Sequence, residues 1–553
     1  MKTKTSESRS SQLPETPDRP EELSGPAAGE SGGRAPSQNR WIALAVVTLA
    51  SFLDNLDANA VTVVLPTIQR DLGAGFTAAQ WTLAGYALAY ALFLITGGRL
   101  GDIHGRKRLF MFGVAGFTLA SIVCGTAVLP EVLVAGRFAQ GFMAALMVPQ
   151  AVSVIVTMFH RDEWARAFAV LGAALSLGSV GGPLLGGMLT ELDVLGLGWR
   201  AIFLINVPLG VIALVLSARS MPESRSDEAL RLDIIGVVLL TTASLGILYP
   251  LIQGREQGWP GWMFAFMGIA VLVLALFVGQ QRRRHRRDGS ALIPPTLFKH
   301  RSTVVGLTVT LLVFSGVASF FLVLTYHLQT GLGWSIVKTA LVTAAWPVGI
   351  TATFQIAWKF GTGRGRLCVR VGSLLMACGA LWTLLAVWSA GSGELSWLQL
   401  VGAELVMGCG MGLTTPVLTA VVLGDVPPQD AGAGSGVLNA AIQFSTAAGV
   451  AILGALYFGG VEGGVGASAG PGHFSSVTSS VLWCNVGVFV LTTVLSSFLP
   501  GSGAAGKSDA AAESAEHDGP AGHDGPAEHE ETAGHEETAG HEETADRLVP
   551  DPA

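Results

Sequence analysis

Four charged residues stand inside long apolar runs of this 553-residue chain: Asp54 and Asp57 in LASFLDNLDANAV, Arg137 in AGRFAQGFMAAL and Glu404 in LVGAELVMG. A charge at the centre of a bilayer costs at least about 2.5–3.5 kcal/mol on insertion scales, so such groups face a water-filled cavity or a partner. A carboxylate held there can exchange a proton near neutral pH, which is the chemistry of a proton relay. Asp54 and Asp57 are three apart and share a helix face. At a rise of about 1.5 Å per residue, Asp57 lies about 14 Å, Arg137 about 9 Å and Glu404 about 10 Å below the outer ends of their runs. All three therefore fall at comparable depth in the outer half.

Each of these residues also has a plain structural reading. Asp54, beside Asn55 and Asn59, reads equally as a structural polar group. Arg137 would neutralise Asp57 as a static pair, and Glu404 would reach toward the outer interface. The five cysteines, Cys124, Cys368, Cys378, Cys409 and Cys484, lie in or beside apolar stretches with no metal-ligand spacing, and read as small packing residues. His517, His523, His529, His535 and His541 recur every six residues in GHEETA-type repeats. Such a tail would bind zinc, copper or nickel weakly, if at all, because isolated imidazoles on a floppy chain make no preformed site. A solvated, repeat-expanded tail is the expected reading, and no metal site is assigned.

The elements that carry these residues follow from composition. Half of the chain is apolar, 13% is charged, and the mean hydropathy is +0.52. Soluble domains hold about 25% charged residues, so a polytopic membrane protein is expected and a soluble enzyme, nucleic-acid binder or secreted disulfide scaffold is disfavoured. The net charge of −7 belongs to a tail. Residues 501–553 carry two basic and fourteen acidic residues, whereas 41–500 carry 25 basic and 20 acidic, a net of +5. The body is mildly basic, as suits a face on anionic inner-leaflet lipid.

A helix needs about 20 apolar residues to cross the hydrocarbon, and fourteen runs between Trp41 and Leu499 qualify, the first spanning 41–66, the eighth 260–280 and the ninth 302–326. With the amino terminus inside, the cytoplasmic loops carry 20 basic residues against four outside, Arg70, Arg200, Arg255 and Lys338. That asymmetry sets the orientation, and an even helix number puts both termini in the cytoplasm. Residues 1–40, rich in Ser, Pro, Glu and Gly, read as a disordered arm rather than a signal peptide. The body contains no nucleotide loop and no nucleophile–base constellation, so an enzyme and direct ATP driving are not expected.

Four local patterns resemble the major facilitator superfamily, and in particular its 14-helix drug:proton antiporter branch. GRLGDIHGRKRLF, from Gly98 to Phe110, resembles the signature of the loop after helix 2, with Gly98, Asp102, Gly105, Arg106 and Lys107 in place. The resemblance implies a cytoplasmic gate latch there. Arg137-Phe-Ala-Gln140-Gly141 resembles the family pattern whose arginine is linked to proton coupling. Gly178, Gly182, Pro183, Gly186 and Gly187 resemble the helix-5 signature of antiporters, where glycines at spacing four allow close packing and proline bends the helix. LDNLDANAVTVVLP, with Asp57 at the family aspartate, resembles the helix-1 pattern, though Asn59 and Thr62 depart from it and Asp54 is an additional acid. WRAIFLINVPLG (Trp199–Gly210), Ile293–Arg301 and Asp425–Gln443 resemble the same branch. The second half carries only GTGRGRL, Gly361–Leu367, without the aspartate, so no latch role is carried over to it.

The resemblance implies an all-α major facilitator fold. Its parts would be a disordered arm (1–40), a six-helix bundle (41–218), inserted helices 7 and 8 with a basic cytoplasmic loop (219–300), a second six-helix bundle (301–499) and a disordered acidic, His-rich tail (500–553). It implies a bacterial plasma-membrane exporter of bulky amphipathic or aromatic drugs, conferring resistance, with Asp57, Asp54, Arg137 and Glu404 in proton coupling. Phe320, Phe321, Tyr326, Trp346 and Phe354 are candidates for an aromatic cavity wall, with ordinary core or lipid-facing packing as the alternative. The expected partners are the drug, protons and the lipid bilayer. No nucleic acid and no cofactor are expected, the proton gradient supplying the energy, and a monomer is expected. The other functions weighed are export of one endogenous metabolite, such as a self-made antibiotic or siderophore, and a non-transporting membrane sensor.

Overall fold

The computed structural model describes residues 37–225, 231–390, 395–424, 426, 431–463 and 471–499. The expectations for the amino-terminal arm before residue 37 and for the His-rich tail lie outside these residues, as do most of 425–430 and the side chains of 361–363. Among the described residues the regular structure is helical throughout. Fourteen helices are long and apolar enough to cross a membrane: α1 (Asn39–Asp71), α2 (Phe76–His104), α3 (Arg106–Gly125), α4 (Pro130–Met158), α5 (Asp162–Glu191), α6 (Gly198–Ser220), α7 (Ile234–Gln253), α8 (Gly261–Asp288), α9 (Arg301–Gly331), α10 (Ile336–Ala357), α11 (Arg364–Ala390), α12 (Trp397–Gly424), α13 (Gly432–Val461) and α14 (Gly472–Phe498). In hydrocarbon every backbone N–H and C=O must be bonded within the chain, and a continuous helix meets that demand for each segment separately.

Several boundaries differ from the sequence reading: α8 does not stop at 280 but runs on to Asp288, carrying the basic run Arg282–Arg287 inside the helix. α1 does not stop at Pro66 but carries it inside the helix to Asp71. α9 runs on past Tyr326 through a π-helical turn, His327–Gly331. The Gly98–Asp102 half of the gate signature is not loop; it forms the last turns of α2, and Arg106 already opens α3. Only Gly105 breaks the helix, at φ 108°. A side chain is strained at that φ, and one at this position would also meet the Glu223 carboxylate.

α1 packs on α5 and α6, α4 on α2 and α3, and α3 on α6. Further along, α9 packs on α13 and α14, and α12 lies along the α10–α11 pair. The early helices meet the late ones through α2 with α13, α5 with α10, and α1 with α9 and α10. α7 packs on α8 and touches both α2 and α13. Small residues make the crossings close. A Cβ on Gly178, Gly182 or Gly186 would run into α1 at Phe52, Leu56, Asn59 or Ala60, so the antiporter-like glycines form the α5 face on α1. Gly187 faces the other way, against Ile336 and Ala340 of α10.

Candidate functional site

Asp57, on α1, and Arg137, on α4, form a salt bridge, and each is about 1% exposed. The sequence placed them at matching depth; the structure brings them into contact. Arg137 also donates from Nη1 to the Gln140 side-chain oxygen at 2.9 Å and from Nε to the Thr82 carbonyl of α2 at 3.2 Å. The second oxygen of Asp57 accepts from Asn206 of α6 at 3.0 Å and from Gln140 at 3.3 Å. Both amides donate in addition to the Ser121 hydroxyl of α3, at 3.3 and 2.8 Å. Residues of five helices thus share one network around this carboxylate. A buried ion pair is tolerated only when its remaining lone pairs and protons are satisfied; both Asp57 oxygens and Arg137 Nε and Nη1 are bonded, while the Asn206 side-chain oxygen has no partner among the described residues.

Tyr86 of α2 ties the second acid into the same cluster. Its hydroxyl donates to Asp54, while its ring lies 4.1 Å beneath the Arg137 guanidinium. Asp54 is 8% exposed and one turn inward of Asp57. Tyr86, Asn206 and Ser121 were not singled out in the sequence. Their signal was there in form, as isolated polar side chains within Ala- and Leu-rich helices, but spacing along one helix does not show which face meets another.

A cavity of about 200 Å³ lies against this cluster, between the early and late helices. Asn59, Tyr86 and Arg137 line one wall, and Phe321, Trp346 and Gln443 the other. Pro183 of α5 also borders it, where the helix passes through without breaking. Of the five aromatic candidates, Phe321 and Trp346 reach the cavity, with ring centres 4.9 Å apart. Phe320 is wholly buried in the late-helix core. Phe354 is 39% exposed on the outside of α10. Tyr326 sits beyond the cavity, where its hydroxyl donates to Gln69 of α1 at 2.7 Å and its ring packs on Phe76 and Phe458. One turn further, Gln329 donates to the Val63 carbonyl at 2.7 Å. These bonds join α9 to α1 beyond the cavity.

Glu404 is not brought to this cluster. It is fully buried on α12, and neither carboxylate oxygen has a hydrogen-bond partner among the described residues. Its surroundings nevertheless mirror those of Arg137. Gly141, four residues after Arg137, is pressed against the Tyr86 carbonyl; Gly408, four residues after Glu404, is pressed against the Trp346 carbonyl. The two late-helix groups therefore occupy the counterpart of the Arg137–Tyr86 position with the opposite charge. Trp346 Nε1 is also unpartnered among the described residues.

At the cytoplasmic ends of α2 and α3, Asp102 accepts from Arg106 at 2.9 and 3.1 Å. Glu223, beyond α6, accepts from the Lys107 backbone N–H at 3.2 Å and pairs with Arg108 at 3.5 Å. Lys107 Nζ donates to the Ala218 carbonyl at 2.9 Å. The signature thus ties the α2–α3 turn to the end of α6. Gly98 itself has room for a side chain; the tight contact belongs to its neighbour Gly97, against the Ala145 carbonyl of α4.

Fourteen apolar helices among the described residues, around a cavity bordered by a buried acid–base pair, define a membrane transporter. The sequence model of the Major Facilitator Superfamily matches residues 47–450, and the chain belongs to that family. It is similar to the probable actinorhodin transporter of Streptomyces coelicolor, 41% identical over 441 residues, which covers 80% of this chain and 76% of that protein. It is similar to the cephamycin export protein CmcT of Amycolatopsis lactamdurans at 33% identity, over 85% of this chain and 95% of that one. Multidrug resistance protein Stp of Mycobacterium tuberculosis is 32% identical over 76% of each chain. Among solved structures, a bacterial homolog of the lysosomal transporter Spinster, inward-facing and unoccupied, superposes with a TM-score of 0.59 at 17% identity, covering 84% of this chain and 97% of that one. At such identity the likeness speaks for the fold. The protein is a multi-pass protein of the bacterial plasma membrane.

Proposed function

We propose that the chain exports antibiotics or other bulky aromatic compounds from the cytoplasm in exchange for protons, and so confers resistance. The observation that carries this reading is the Asp57–Arg137 pair, buried against a cavity walled by both sets of helices. Relatives named for actinorhodin transport, cephamycin export and multidrug resistance support the substrate class. Tyr86, Phe321 and Trp346 offer flat apolar faces to an aromatic guest.

A proton arriving from outside would neutralise Asp57 and remove the charge that holds Arg137. Arg137 would then turn to its remaining acceptors, the Gln140 side chain and the Thr82 carbonyl. This protonation takes place while the Tyr326–Gln69 and Gln329–Val63 bonds are open to the outside, and loss of the pair biases the helix groups toward the arrangement in which those bonds are made and the site faces the cytoplasm. There the proton leaves to the cytoplasm, the pair re-forms and substrate binds; the loaded, deprotonated protein turns outward, opens the two bonds and releases substrate as the next proton arrives. Proton and substrate need only differ in affinity between the two arrangements for one gradient to drive the other. Asp54, held by Tyr86, and Glu404 are the candidate carriers of further protons. Asp102, Arg106 and Lys107, with Gly105 at the turn, would latch the cytoplasmic gate. The helix groups α1–α6 and α9–α14 would move as two bundles within a monomer. The chain needs no cofactor and catalyses no covalent step in this reading.

The test uses inverted membrane vesicles with an acidified interior, followed by uptake of a fluorescent lipophilic cation and of a neutral aromatic antibiotic. Wild-type uptake that collapses with an uncoupler and in Asp57→Asn supports the proposal; uptake indifferent to Asp57→Asn moves the proton site to Asp54 or Glu404. A narrower reading, export of one self-made compound, is favoured by relatives named for single natural products. It predicts that unrelated toxic compounds leave the vesicle signal unchanged.

A further inference from the structure

The two halves treat the same cytoplasmic corner differently. In the early half, the basic start of α3 meets a carboxylate: Arg108 pairs with Glu223, just beyond α6. In the late half the corresponding corner lies between the start of α11 and the end of α14. There Arg366 donates from Nε to the Leu499 backbone carbonyl at 2.7 Å, and Arg370 donates to the Ser497 hydroxyl at 2.9 Å. Gly105-Arg-Lys-Arg-Leu109 and Gly363-Arg-Gly-Arg-Leu367 align at these corners, so Arg366 stands where Arg108 does. What faces Arg366 is a neutral carbonyl. Among the described residues, no carboxylate pairs with Arg301, Arg366 or Arg370.

This corner also opens into a pocket of about 490 Å³, lined by His300, Arg301, Arg366, Ser497, Phe498 and Leu499. The Arg301 guanidinium stands 5.7 Å over the Phe498 ring, which is 49% exposed. Arg301 is the first residue of α9, Arg366 the third of α11, and Phe498 the last of α14. The pocket therefore sits where three spans leave the hydrocarbon, which is the depth of the lipid headgroups. Its chemistry is two guanidinium groups beside an exposed apolar ring, with the Arg301 group above it. Guanidinium forks match the oxygens of a phosphate, and Phe498 would meet the first methylenes of an acyl chain.

We propose that this pocket binds the headgroup phosphate of an anionic phospholipid of the inner leaflet. The lipid supplies the anion that Glu223 supplies in the other half, and so ties α9, α11 and α14 together at their cytoplasmic ends. Basic pockets between membrane helices on the cytoplasmic side are suited to such headgroups. The acidic tail is the rival anion. Its first acid, Asp509, is ten residues past Leu499 and follows Lys507. Lipid is present at the right depth in any membrane, whereas the tail would have to bring an acid at least ten residues along the chain back to this corner. The proposal needs only the cytoplasmic placement of these helix ends, and its test does not depend on transport.

Full-length protein would be placed in nanodiscs of phosphatidylcholine with a graded fraction of phosphatidylglycerol. Native mass spectrometry then counts retained lipid, and thermal unfolding reports stabilisation. Wild type should keep phosphatidylglycerol at least fivefold more often than the Arg301→Gln/Arg366→Gln variant, and melt higher as its fraction rises. Arg301→Lys/Arg366→Lys should recover most of the retention, which separates lost charge from lost folding. Arg283→Gln, on the basic end of α8, should behave as wild type. Equal retention in wild type and the double Gln variant would overturn the proposal. So would an equal loss in Arg283→Gln, which signals diffuse surface attraction. The same protection from inorganic phosphate in pure phosphatidylcholine would make the ligand a free anion. A fivefold rise in retention on removing residues 501–553 would make the tail the occupant; either result overturns the lipid assignment.

Discussion

Tyr86 holds Arg137 from below and Asp54 from the side. Its ring centre is 4.1 Å from the guanidinium carbon, and its hydroxyl donates to the Asp54 carboxylate. One side chain on α2 therefore touches the base of α4 and the second acid of α1, and borders the cavity as well. Movement of Arg137 would alter its contact with this ring. The arrangement couples the two acids of α1 through an aromatic group rather than through direct contact.

The first prediction separates the two functions of Tyr86. Tyr86→Phe keeps the ring and removes the hydroxyl, leaving Asp54 buried without its donor. A lost hydrogen bond to a charged group costs about 1.5–3 kcal/mol, so the melting temperature and vesicle uptake should both fall. Adding Asp54→Asn should restore stability, because the unpaired charge is gone. A Tyr86→Phe variant that melts and transports like wild type would show that the hydroxyl contributes nothing.

The second concerns the pair itself. Removing one partner of a buried ion pair leaves an uncompensated charge and costs about 3–5 kcal/mol. Asp57→Asn and Arg137→Gln should each lower thermal stability strongly. The double variant should be more stable than the sum of the two losses predicts, and all three should fail in the uptake assay. Additive losses in the unfolding measurement would mean that the two side chains do not interact.

The third contrasts neighbouring glycines. Gly98→Ala should express and transport nearly as wild type, since nothing crowds a Cβ there beyond an ordinary contact with Pro149. Gly97→Ala should lose most activity, because its Cβ would overlap the Ala145 carbonyl and the Leu146 backbone of α4. Gly182→Ala should likewise push α5 off α1 at Leu56 and Asn59. Uptake measured at equal membrane abundance checks all three.

The fourth lies at the cytoplasmic entry of α7. Asp233 caps that helix by accepting from the Gly236 N–H at 2.9 Å, and accepts from Gln280 and Gln281 at 2.9 and 2.7 Å. Burial alone would raise its carboxyl. The Gly236 N–H, Gln281, Gln280 and the Arg284 charge outweigh that and hold it below its ordinary 3.8. A carboxyl depressed in the folded state contributes stability that is complete above its unfolded value and is lost as pH falls through the folded value. Hydrogen exchange in the first turn of α7 should therefore not change because of Asp233 from neutrality down to about pH 5, and should rise only below 3.8. Asp233→Asn should raise it already at neutral pH.

The sequence by itself determined the number of spans, their orientation, the family and the residues worth watching. Each of these follows from local quantities: the length of an apolar run, the count of Lys and Arg beside it, and the cost of a charge within it. Asp57 and Arg137 were marked because no single helix can satisfy either of them. Glycines at spacing four marked the α5 face because a missing Cβ matters only where another backbone comes close. Helix ends were less legible: Pro66 looked like a stop for α1, yet tertiary packing carries the helix past it. Only the tertiary structure decided partners. It gave Asp57 to Arg137, Gln140 and Asn206, gave Asp54 to Tyr86, and left Glu404 apart from both. It also put Phe321 and Trp346 on the cavity while turning Phe320 and Phe354 away. The reason is geometric: periodicity along one helix fixes which residues share a face, whereas the neighbour that face meets depends on how helices far apart in sequence pack together.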